Sequence, residues 1–139
     1  MTNSIPRIAL TALISLALSG CLEKSDEYDT IEEARKNHLF EKGWLPDLLP
    51  ASTYDLKVVT AVEIPAGHGK FRFDPKEYHD FAAKLEPHEG VMSKVESDNE
   101  SIRELLDRGY EAHAYSSGTI NWIFLCEQRK AVCEFFVWG

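Results

Sequence analysis

Ile120-Asn121-Trp122-Ile123-Phe124-Leu125-Cys126-Glu127-Gln128-Arg129-Lys130-Ala131-Val132-Cys133-Glu134-Phe135-Phe136-Val137-Trp138 is the stretch whose reading decides the fold. Two runs rich in β-branched and aromatic residues flank the polar segment Glu127–Lys130, the pattern of a β-hairpin with a loop of about four residues. Placing Cys126 opposite Cys133 sets Phe124 against Phe135 and Trp122 against Val137 on one face. Upstream, Tyr110–Ser116 and Thr119–Cys126 read as a further hairpin around Ser117-Gly118, with His113 opposite Trp122. The C-terminal third is therefore expected to be a three-stranded antiparallel meander. Its first face carries Tyr115, Ile120, Trp122, Phe124, Cys126, Cys133, Phe135 and Val137. The second carries Ala112, Ala114, Ile123, Leu125, Phe136 and Trp138, interrupted by Asn121 and Glu134. A sheet apolar on both faces must be covered twice or must meet a partner.

Working toward the N-terminus, Glu100–Arg108 reads as a helix that turns Ile102, Leu105 and Leu106 inward and stops at Gly109. Glu86–Asn99 reads as mostly loop, with a short strand near Val91–Val95. Asp74-Pro75 pairs an N-cap with a proline at the first helical position and starts a helix to about Leu85. Tyr78, Phe81, Ala82 and Leu85 form its apolar stripe. Leu56–Ile64 alternates, with Leu56, Val58, Thr60, Val62 and Ile64 on one face of a half-buried strand. Pro65–Gly69 is expected to turn, and Lys70–Phe73 to return as a second strand. Trp44–Pro50, with two prolines, is neither helix nor central strand and reads as an apolar strap on the core. Thr30-Ile31-Glu32-Glu33 matches a capping box opening a helix from Ile31 to Lys42, which Gly43 stops. Together these elements give an α+β domain in which an antiparallel sheet is packed by about three short helices.

The first 21 residues give an address. One basic residue, Arg7, precedes an uncharged apolar run from Ile8 to Leu18, too short to span a bilayer and matched to an export signal. Leu18-Ser19-Gly20-Cys21 resembles the lipobox of bacterial lipoproteins. That resemblance implies lipid attachment at Cys21, cleavage before it and acylation of the new amino terminus. Leu22, rather than Asp, after the cysteine implies the periplasmic side of the outer membrane. Residues 1–20 are accordingly a signal peptide, 21–30 a lipidated tether and 31–139 a single domain. A domain of this size buries about two-thirds of its unfolded surface, enough for one core. With Cys21 lipidated, Cys126 and Cys133 remain as an even pair in an oxidising compartment and are expected to form a disulfide, the alternative being two buried free thiols.

The composition excludes several functions. Fifteen Lys+Arg against 23 Asp+Glu give a net charge of −8, one unit more acidic once Arg7 leaves with the signal peptide. Nucleic-acid binding depends on basic side chains neutralising phosphates, and no basic run is present. A hydrophobic fraction of 44% is too high for a disordered chain. His38, His68, His79, His88 and His113 fall at no metal-ligand spacing, and no Gly-x-Ser-x-Gly elbow accompanies Ser116 and Ser117. No catalytic residue, metal or cofactor is therefore assigned.

Phe40-Glu41-Lys42-Gly43-Trp44-Leu45-Pro46-Asp47-Leu48-Leu49-Pro50-Ala51-Ser52, then a Val-rich strand, then Phe71-Arg72-Phe73-Asp74-Pro75, resembles small bacterial proteins similar to the YbbD head domain. The similarity covers roughly residues 34–85, implies an α+β domain and names no catalytic residue. The reading that results is an outer-membrane-anchored envelope lipoprotein that binds an envelope protein or serves as an accessory. The alternatives are an inhibitor or immunity lipoprotein against a basic envelope hydrolase, and a small hydrolase with a His/carboxylate site. Trp138 and Phe136, and then Trp44 if a helix covers them, are the candidate partner contacts, because aromatic residues dominate interface hot spots.

Overall fold

The computed structural model describes residues 22–87 and 99–139. Seven strands form one antiparallel sheet in the order β1-β2-β3-β7-β6-β5-β4. They are β1 Glu23–Thr30, β2 Tyr54–Ala61, β3 Ala66–Arg72, β4 Glu86–Pro87, β5 Glu111–Ser117, β6 Ile120–Glu127 and β7 Val132–Trp138. Three short helices, α1 Ile31–Lys36, α2 Tyr78–Ala82 and α3 Asn99–Asp107, accompany them, with a 3-10 turn at Pro75–Glu77 before α2. The arrangement is a mostly-β version of the expected α+β class. Two meanders, β1-β2-β3 and β5-β6-β7, meet along the β3–β7 ladder.

The C-terminal hairpin has the register read from its sequence: Cys126 faces Cys133, Phe124 faces Phe135 and Trp122 faces Val137. In the preceding hairpin the register slips by two residues. Tyr115 faces Trp122 and His113 faces Phe124, because the turn sits at Gly118-Thr119, one residue later than expected, with Gly118 at φ 61°. A slip of two leaves every side chain on its expected face, since strand periodicity is two.

Both faces are covered, by different elements. One face carries the larger core, in which Phe71, Phe73, Phe124, Phe135 and Val137 meet Ile31 and Ala34 of α1, Leu39 just after it, Leu45 and Leu49 of the strap, and Tyr78 and Phe81 of α2. The Phe71 ring meets Phe81 and Phe124 edge-on, at 6.1 Å between centroids in each case, a favoured aromatic geometry. The opposite face carries a smaller core in which Ile102 and Leu105 of α3 cover Ile123, Leu125 and Phe136. Leu106, expected inward, is exposed.

Several segments differ from the sequence reading, each for a local reason. Residues 23–30 are not a tether: they pair along β2 from Glu23↔Ala61 to Thr30↔Tyr54. Their charges suit an edge strand, where they discourage pairing with another chain. Helix α1 ends at Lys36 rather than Lys42. Asn37 donates its side-chain N–H to the Glu33 carbonyl, and His38 takes a left-handed φ of 61°. The capping box is present in altered form: Thr30 Oγ1 accepts from the Glu33 amide at 3.3 Å, while Glu33 accepts from the Asp29 amide at 2.9 Å. The turn between β2 and β3 falls at 62–65, so Val62 and Ile64 are exposed rather than facing the core.

Ala66–Gly69, expected as that turn, is strand. Gly69 lies between Val58 and Phe135, and a Cβ there would stand 2.8 Å from the Phe135 ring and collide with the Lys57 carbonyl oxygen. Glycine inside this strand admits the close approach of a neighbouring backbone and a large ring, a pairing requirement that imitates a turn signal. Expectations for residues 1–21, for His88 and for the strand near Val91–Val95 lie outside the described residues.

Candidate functional site

Helix α3 covers only the β6–β7 part of its face. Over β1, β2 and β3 no described residue covers the same face, which bears a cross-strand row of charges, Glu27↔Lys57↔Lys70↔Glu134. Arg72 stands two residues beyond Lys70 on β3, and Arg108, just past the end of α3, overlooks the row. These side chains, with Asp29 and Asp55, line a concavity of about 500 Å³. A second hollow of about 290 Å³, lined by His68, Ser101, Glu104, Leu105 and Phe136, shares Arg108 and Glu134 with the first, so the groove continues along α3.

The groove's electrostatic order runs acid, base, base, acid across the strands. Among the described residues, none of Lys57, Lys70, Arg72 and Arg108 makes an ion pair. Arg108 lies over the Tyr110 ring at 5.2 Å from its centroid, which leaves the guanidinium edge open for hydrogen bonding. Such a surface complements a partner that is anionic at its centre and cationic at its margins. The sequence contained a signal for it. Lys57 and Glu27 alternate with core residues, and Lys70 and Arg72 bracket Phe71, but the reading of 65–69 as a turn hid the register that aligns them.

The residues singled out from sequence are distributed differently. Cys126 and Cys133 are joined, with S–S 2.03 Å and Cα–Cα 4.1 Å, and both are buried. Phe136 is buried beneath α3, and Trp138 is half-buried against the same small core. Helix α3 therefore covers Phe136, and Trp138 keeps part of its surface. Trp44 is half-buried on the strap and packs on the larger core. Its carbonyl accepts the Trp122 indole N–H at 3.1 Å. Cys21 lies outside the described residues.

The four described histidines are scattered. His38 hydrogen-bonds Glu41 at 2.5 Å, His113 Nε2 lies 3.7 Å from Glu111, His79 is exposed on α2, and His68 lines the groove. Among the described residues no group of three metal-ligating side chains comes together. The Tyr78 phenol is held well above its ordinary value by burial, then by its hydrogen bond to Glu111 at 3.1 Å and by the charges of Glu111 and Glu127.

Residues 23–72 match the family model of the YbbD head domain. The resemblance drawn from Phe40–Ser52 and the strands after it therefore holds. The YbbD head match begins at Glu23, so β1 falls inside the matched unit, as its pairing with β2 requires. Lys57, Lys70 and Arg72 lie within the YbbD head match, and Arg108 lies outside it. No curated protein and no solved structure matches the chain.

Proposed function

We propose that this chain is an envelope lipoprotein, anchored through lipid at Cys21, whose folded domain acts by binding an envelope partner in the charged groove. The observation that carries the reading is the half-face over β1–β3 that no described residue covers, where Lys57 and Lys70 stand between Glu27 and Glu134 with Arg72 and Arg108 beside them, all four cations without an ion pair among the described residues. Charges arranged this way favour specificity and rapid encounter over sheer affinity. The partner surface that fits presents carboxylates or phosphates toward Lys57 and Lys70 and basic groups toward Glu27 and Glu134.

A photo-crosslinking side chain introduced at Lys70 in living cells tests the groove. A discrete adduct is expected there and none from the same probe at Glu32 on α1, and charge reversal by Arg72→Glu together with Lys57→Glu should abolish it. An adduct of equal strength from Glu32, or no adduct from Lys70, would refute the assignment. Mass spectrometry of the envelope protein tests the anchor separately: acylated Cys21 is expected as the first residue, and an unmodified cysteine refutes it.

A second reading is favoured by β1 itself. Glu23, Asp26, Glu27 and Asp29 with only Lys24 make an acidic strand whose outer edge is unpaired in the sheet order. An acidic edge of this kind suits an inhibitor or immunity protein that caps a basic envelope hydrolase. In that case adducts would form from probes at Ser25 and Glu27, and Asp26→Lys would remove them while Arg72→Glu would not.

A further inference from the structure

Five large apolar side chains are exposed among the described residues, and three of them, Leu22 (67%), Val62 (64%) and Ile64 (60%), sit at one end of the sheet. The Val62 amide donates to the Leu22 carbonyl at 3.0 Å, which fixes the start of the described chain against the β2–β3 turn. The Gly139 amide donates to the Pro65 carbonyl at 2.9 Å, bringing the end of β7 to the same place. Behind this tip lies a hollow of about 300 Å³ lined by Trp44, Val62, Ile64, Ile120, Val137 and Trp138. Lys42 and Glu63 stand on its rim.

From Leu22 one peptide unit, about 3.8 Å between Cα atoms, leads to Cys21. We infer that this tip docks on the bilayer that holds the Cys21 lipid, with Val62, Ile64 and Leu22 entering the interface and Trp44 and Trp138 behind them at headgroup level. The inference rests on the reading of Cys21 as the lipidated residue. Strand β1 begins two residues after that cysteine, so no long linker separates the folded sheet from the membrane. Exposed apolar side chains at the one place where the sheet must approach lipid have an occupant supplied by covalent connectivity. Tryptophan is enriched at this depth because its ring is apolar and its N–H polar. Three small contacts would not hold an unanchored domain, but the anchor makes the encounter intramolecular, so a weak patch suffices. Docked in this way, the sheet stands end-on, and the β6–β7 turn points away from the lipid.

The test uses the full acylated protein in vesicles of phosphatidylethanolamine and phosphatidylglycerol containing a doxyl-labelled phospholipid. With Cys21 acylated and Cys126 bonded to Cys133, a cysteine introduced as Ile64→Cys, Val62→Cys or Arg129→Cys is the sole reactive thiol and takes an environment-sensitive fluorophore. Emission from positions 62 and 64 is expected to shift to the blue and to be quenched by half or more, while position 129 on the far turn stays unquenched. Adding Ile64→Asp should release the probe at position 62 from quenching without releasing the protein from the vesicle. Acylated protein whose probes at 62 and 64 remain unquenched overturns the docking alone. A blue shift without quenching by the doxyl lipid also overturns it, since the tip would then be covered by protein or by the chain's own acyl group. An unmodified Cys21 overturns the anchor and the docking together.

Discussion

Trp122 on β6 donates its indole N–H to the main-chain carbonyl of Trp44 at 3.1 Å, joining the proline-bounded strap to the centre of the sheet across 78 positions of sequence. The strap has little regular structure of its own, so this bond and the burial of Leu45 and Leu49 are what seat it. Trp122→Phe keeps most of the apolar contact and removes the donor. It should lower stability by roughly 1–3 kcal/mol, the cost of leaving a desolvated carbonyl without its partner. Urea unfolding of wild type and variant checks this, and the adduct formed from Lys70 should be unaffected because the groove lies on the other face.

Gly69→Ala should be among the most damaging single substitutions outside the aromatic core. The added methyl meets both a backbone carbonyl and the Phe135 ring, and a carbonyl within a ladder moves only with its strand. A loss of about 3 kcal/mol or outright failure to fold is expected, at the upper end of overpacking costs. A Gly69→Ala protein with an unchanged unfolding midpoint would show that β2 and β3 are not this close.

Reducing the Cys126–Cys133 bond should lower stability by about 2.5 kcal/mol, the chain-entropy figure for so short a loop. The bond lies between paired strands, and Phe124↔Phe135 packing should keep the hairpin together without it. The reduced protein is therefore expected to remain folded at 25 °C, with a lower midpoint in guanidinium measured with and without reductant.

Tyr78 should make the fold sensitive to alkali. Its folded pKa lies above the unfolded value of 10.0, so the folded state holds the phenol proton when the unfolded state has released it. Stability is then fully present below pH 10 and falls as pH rises beyond it, the sign required when the native state binds more protons. Tyr78→Phe loses the hydrogen bond to Glu111 at neutral pH but should flatten this alkaline decline, which unfolding midpoints taken across that range would reveal.

Elements with a strong local code were legible. The disulfide register followed from alternation through Ile120–Trp138, the strap from its two prolines, and α3 from Ile102, Leu105 and the stop at Gly109. What escaped depended on partners distant in sequence. Residues 23–30 look like a tether because an edge strand needs only one neighbour and tolerates charge along its length. Gly67 and Gly69 look like a turn because small residues serve loops and crowded ladders alike. The groove was invisible for the same reason, since Lys57 meets Lys70 and Glu134 only once β3 is placed between β2 and β7. The cover over Phe136 was a tertiary choice between two apolar faces, and periodicity alone does not assign a helix to one of them.

The β3–β7 ladder has a consequence for how the chain reaches this state. The β2–β3, β5–β6 and β6–β7 hairpins close over short loops, on a scale of about 1–10 μs, whereas Ala66 pairs with Trp138 and Arg72 with Val132 across most of the domain. The entropy of that closure must be met before its contacts contribute, which places the ladder late and makes it the slow step. Until it forms, Phe71 and Phe135 are on separate half-sheets with their rings uncovered. A chain whose halves zip together only at the end remains loose and threadable for longest, a kinetic property that would suit the export proposed for this chain.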